Sequence, residues 1–185
     1  MTIQFQFSPE KAVEAAAILL KLHGGPMKYL GLLKMLYIAD RVALERMEQP
    51  ITGDCYVSMD YGPVLSCVYD LIKGKTVGNA LPLWSVSIAS CPKKQVYLRN
   101  DPGKQHLCEA EEEILEEVYQ KFGHINPFEV ADWTHGLPEW KNPHGSMIPI
   151  AVNDVLHYLG KTDLEIQAIA EEAAREAYLN GAWHG

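Results

Sequence analysis

The side chains most able to do covalent or metal chemistry in these 185 residues are four cysteines, a scatter of histidines and a run of glutamates. A nucleophilic cysteine needs a nearby base and an electropositive setting. Cys55, Cys67, Cys91 and Cys108 are far apart, form no CxxC pair, and Cys55 and Cys67 are flanked by apolar residues, which predicts inert thiols in a reducing compartment. His124, His135 and His144 are too widely spaced to share a helical turn and lack the HExxH arrangement that puts two metal ligands on one face. Glu111, Glu112, Glu113, Glu116 and Glu117 open an apolar-periodic stretch, where carboxylates favour a helix dipole and water. Gly24-Gly25 and Gly78 fit no phosphate-binding loop. These patterns predict no hydrolytic, transfer or redox activity and no cofactor. One alternative is a metal-dependent enzyme that brings Asp54, Asp60, His135 and His144 together.

The elements that must position these residues read mostly as helices, giving a mainly α (α+β) fold: one helical domain around a central apolar helix, with a small antiparallel hairpin or sheet. Ser8-Pro9-Glu10 supplies an N-cap and an N1 proline, and Ala12, Ala15, Ala16, Leu19 and Leu20 an apolar face that ends at His23-Gly24. Residues 27–47 are apolar on nearly every side, as in a helix at the centre of a fold. In ITGDCYVSMDYGPVLSCVYDLIKG (51–74), Gly53-Asp54 and Gly62-Pro63 mark turns around an alternating strand at 55–59, and Pro63 reads as the first residue of a helix. WSVSIAS (84–90) and QVYLR (95–99) alternate as a hairpin that could pair with that strand. Residues 110–123 form a helix with acids at its start and Lys121 at its end. Asn126-Pro127-Phe128-Glu129 and Thr162 with Glu165 have the spacing of reciprocal caps. The last helix carries a continuous stripe of Ile166, Ile169, Ala170, Ala173, Ala174, Ala177 and Tyr178.

Aromatic rings are the other side chains able to carry function in this chain. Tyr37, Tyr56, Tyr61, Tyr69, Trp133 and Trp140 are amphipathic and of the kind enriched at protein interfaces, and each could equally line the core with its polar tip satisfied. The candidate contact residues are Tyr56, Asp60 and Tyr61 in the turn-strand-turn, and Trp133, His135 and Trp140 around the Pro/Gly-rich stretch that follows. A net charge of −8 disfavours a general phosphate-backbone binder and suits a partner that is basic at its contact surface. No recognition-helix pattern supports a DNA-binding autorepressor. The N-terminus lacks a signal-peptide pattern and no stretch has the roughly 20 apolar residues of a membrane span, so the chain is expected in the cytoplasm.

LLKMLYIADRVALERMEQPITGDCYVSMDYGPVLSCVYDLIKG resembles the Panacea domain, also described as the SocA-like antitoxin or phage-associated GepA-like domain. The resemblance rests on Lys34, Leu36, Tyr37 and Asp40, on Pro50-Ile51-Thr52-Gly53-Asp54, on Tyr56, Tyr61, Gly62, Pro63 and Val64, and on Val68-Tyr69. Thr134-His135 and Pro138-Glu139-Trp140 extend it. Ser58 departs from it, standing where a small apolar residue is expected. The resemblance implies a domain over residues 8–145 and a helical extension, 146–185, packed on it. It also implies an antitoxin that neutralises a cognate toxin by direct contact, in one branch by delivering it to a ClpXP-type protease.

Overall fold

Ser8 begins the first helix as the sequence predicts: its side-chain oxygen accepts from Lys11 N–H, and α1 runs Pro9–His23 until Gly24 takes the left-handed conformation. The computed structural model describes residues 1–183, and within them the architecture is α+β and mainly helical. A two-residue strand, β1 (Met27–Lys28), leads into α2 (Tyr29–Met47), which buries residues on almost every side and packs against α1, α5 (Glu109–Phe122) and α6 (Pro127–His135). That is the central position expected of so apolar a helix. No helix among the described residues is long and apolar enough to cross a membrane.

Two three-stranded antiparallel sheets flank this core. In the first, β2 (Tyr56–Met59) lies between β3 (Gly62–Leu65) and β6 (Ile148–Ile150), with Tyr56 opposite Leu65 on one side and Ile150 on the other. In the second, β5 (Gln95–Leu98) lies between β1 and β4 (Ile88–Cys91). Helices α3 (Ser66–Ile72), α4 (Ala80–Ser87), α7 (Val152–Tyr158) and α8 (Asp163–Trp183) complete the chain.

Four sequence expectations change. Pro63 does not open a helix; it sits in β3 opposite Ser58, on a sheet edge where its missing N–H costs no ladder bond, and α3 starts three residues later. The alternation at 84–87 belongs to the end of α4, with Trp84 and Ser87 facing inward, so the second hairpin starts only at Ile88. That hairpin pairs with β1, not with the strand at 56–59, whose free side is taken by β6. The stripe on α8 leaves the core after Ala173, and Ala174, Ala177 and Tyr178 face solvent. The reciprocal cap at its start does form: Thr162 N–H donates to Glu165 Oε2, and Glu165 N–H to Thr162 Oγ1.

Candidate functional site

Along one side of α2 stand Lys34, Tyr37, Asp40 and Arg41, whose three- and four-residue spacings place them on neighbouring turns. Lys34, Tyr37 and Asp40 are buried, and their polar atoms hold the turn-strand-turn and the segment after α6. Asp40 accepts from four donors: the N–H groups of Ile51 and Thr52 (3.0 and 2.9 Å), Thr52 Oγ1 (2.6 Å) and Tyr56 O–H (3.2 Å). Burial outweighs these bonds and raises its carboxyl to about 7. Tyr37 donates to Glu139 Oε1, while Arg41 grips both oxygens of the same carboxylate through Nε and Nη2 (2.6 and 3.3 Å). Lys34, wholly enclosed, donates to the Pro63 carbonyl at 2.7 Å, and desolvation lowers its ammonium to about 7.

Asp54 performs a similar task from inside the turn. Leu65, at the N-cap of α3, has no side-chain oxygen, and Asp54 supplies the missing acceptor from eleven residues upstream, receiving the N–H groups of Cys67, Val68 and Cys55. Burial and then this carboxylate push the neighbouring Cys67 thiol up to about 12, and the same causes raise Cys55, so neither is a thiolate near neutrality. Cys55 is nonetheless exposed. Gly53 (φ 69°) and Gly62 (φ 98°) are required on two counts: the left-handed backbone, and an absent Cβ that would collide with the Gln6 carbonyl and with Thr134 Oγ1 respectively.

Outside this frame lies a rim. Asp60 and Tyr61 form the tip of the β2–β3 turn, and the tip is stitched to the chain after α6. His135 Nε2–H donates to the Asp60 carbonyl (3.0 Å), the Trp140 indole N–H to the Met59 carbonyl (2.9 Å), Lys141 N–H to Ser58 Oγ and Gly145 N–H to Asp60 Oδ1. The Ser58 hydroxyl thus has a bonding task that a small apolar residue could not perform. The His135 and Trp140 rings stack with centroids 4.2 Å apart. Tyr61, 59% exposed, meets Phe128 edge to face at 5.8 Å. Trp133, 45% exposed, packs on Phe122 at 4.8 Å.

Of the residues singled out by sequence, Asp60, Tyr61, His135 and Trp140 come together at this tip, and Trp133 stands on the exposed side of α6. Tyr56 does not join them: its ring is buried edge-on against Tyr37 at 5.2 Å, and its hydroxyl reaches Asp40. The four residues of the metal-site alternative do not share a centre. Asp54 is enclosed by backbone N–H groups, and among the described residues no group of three or more His, Cys, Asp or Glu side chains is placed to hold an ion. Sequence reading missed Phe128, visible only as a cap-motif position, and the Arg41–Glu139 pair, whose members are 98 residues apart.

A family model described as antitoxin SocA-like, Panacea domain, matches residues 32–141, more than half of the chain. The match runs from the start of the α2 polar row to the loop after Trp140. No curated protein and no solved structure matches the chain.

Proposed function

The chain belongs to the antitoxin SocA-like, Panacea domain family, and on that premise we propose that it neutralises a cognate protein toxin by direct contact through the rim of Asp60, Tyr61, Trp133, His135 and Trp140. The observation that carries this reading is an exposed Tyr61 beside half-buried His135 and Trp140 on a tip held by four long-range hydrogen bonds, with Trp133 exposed on the adjoining α6. Binding energy at protein interfaces concentrates on aromatic anchors, and fixing them beforehand lowers the ordering cost of association. The buried row on α2 keeps the rim in place and does not touch the partner. The acidic balance of the chain favours a toxin that is basic where it docks. On this reading the complex forms in the cytoplasm, and we propose delivery of the bound toxin to a ClpXP-type protease as a further step.

Co-expression tests this. The product of the adjacent gene, toxic when expressed alone, is neutralised by this chain and copurifies with it. A toxic neighbour that is neither neutralised nor bound overturns the reading. The delivery step is read from the toxin's half-life in cells with and without the protease: equal half-lives reject it.

A further inference from the structure

Beside the Tyr61 tip, the outer side of α6 carries two rings and two carboxylates in alternation. Phe128 and Asp132 are four residues apart, as are Glu129 and Trp133, so each pair stacks along the helix and the two rows lie side by side in solvent. Phe128 is 50% exposed and is steadied by Tyr61; Trp133 is steadied by Phe122. Asp132 is 81% exposed, and the basic atom near it is His135 Nδ1 at 3.8 Å. Trp133 already acts as a platform for a cation, since Lys121 Nζ stands 5.5 Å from its ring centroid.

We propose that this side of α6 is the seat of an arginine-bearing segment of the toxin, whose guanidinium groups stack on Phe128 and Trp133 and pair with Asp132 and Glu129. The inference rests on the antitoxin reading and names the chemistry of the partner at the rim. A guanidinium is the cation that suits alternating rings and carboxylates: it is planar, stacks flat on aromatic faces and engages a carboxylate with two parallel N–H bonds, whereas an ammonium meets a ring or a carboxylate as a point charge. A phosphate-bearing partner, nucleic acid or anionic membrane, would meet Asp60, Glu129 and Asp132 with like charge.

The test titrates the full-length, ¹⁵N-labelled chain with a short capped peptide of the composition glycine-leucine-arginine-glycine-arginine-leucine-glycine, and with its lysine and citrulline counterparts. Expected is saturable binding with Kd of about 0.1–1 mM, with amide shifts confined to residues 60–61 and 125–135 and the Trp133 indole. The lysine peptide should be at least about fivefold weaker, because it stacks and forks less well, and the citrulline peptide weaker still. The double variant E129K/D132K, both positions being exposed, keeps the folded spectrum and loses the arginine peptide; Phe128→Ala weakens it. Equal binding of arginine and lysine peptides, shifts elsewhere, or occupation of this face by phosphatidylglycerol vesicles, duplex DNA or a second copy of the chain overturns the proposal. In co-expression, rescue by E129K/D132K as strong as by the natural chain also overturns it and leaves the antitoxin reading intact. Loss of rescue by the natural chain, with the peptide still bound, rejects the antitoxin reading alone.

Discussion

Asp54 and Asp60 stand six residues apart in one turn-strand-turn and live in opposite worlds. Asp54 is enclosed, receives three backbone N–H groups and starts a helix; Asp60 is in water and receives a single N–H from Gly145. The same division separates Tyr56, whose hydroxyl is bonded inside the core, from Tyr61, whose ring is largely exposed. Most of the residues that carry the family resemblance fall on the inner side. The motif therefore describes mainly how the rim is held, with Tyr61, His135 and Trp140 as its members on the rim itself.

If that division is real, stability effects shrink and binding effects grow from the core outward. The largest loss of stability is expected from Asp40→Ala, which leaves four buried donors without an acceptor. At about 1–3 kcal/mol for each orphaned group and incomplete relaxation, the total is about 4 kcal/mol or more, read from the denaturant midpoint; an unchanged midpoint would detach the turn from α2.

The next effect is on the pH profile. Asp40, raised above its unfolded value, binds a proton more tightly when folded, so stability falls as pH rises from about 4 to about 7. Lys34, lowered below its unfolded value, holds its proton less well when folded, so stability rises between about 7 and about 10. The two together predict a minimum near neutral pH. Lys34→Met removes the alkaline limb and leaves the acid one, and a profile that keeps its alkaline rise in that variant contradicts the assignment.

Smaller again is Trp140→Phe, which keeps most of the ring stacked on His135 and deletes the hydrogen bond to the Met59 carbonyl, for a loss of about 1 kcal/mol. The smallest is Tyr61→Ala, within about 0.5 kcal/mol of the natural chain in stability. Its binding to the toxin should nevertheless weaken by about 2 kcal/mol or more. Calorimetric titration of the complex beside the melting curve separates the two. A Tyr61 variant that melts early and binds normally would invert the comparison.

How much of this the sequence reveals follows the range of the interaction. The caps at Ser8 and Thr162 and the turns at Gly53 and Gly62 depend on neighbours within a few residues, and the sequence displays them, whereas the close approach of Gln6 and Thr134 to those glycines is long-range and hidden. Pro63 reads as a helix start and is not one, because proline suits both the first turn of a helix and an edge strand, and only the partner strand decides. WSVS alternates like a strand yet closes a helix, since four residues are too few for periodicity to separate the two. Tyr56 and Tyr61 are the same residue type five positions apart, and what assigns one to the core and the other to the rim is α2, whose polar row has no local signature. The Arg41–Glu139 pair is a long-range contact of the same sort.

The sheet that carries the rim also sets a schedule for synthesis. β2 receives β3 at once, but its other edge waits for β6, and 91 residues separate Met59 from Ile150. At about 5–20 residues per second, a nascent chain displays that unpaired edge for roughly 5–18 s before its own strand arrives. During that interval the edge is a template for any extended segment nearby, so a crowded ribosome or a pause between Met59 and Ile150 is where this protein is most exposed to misassembly.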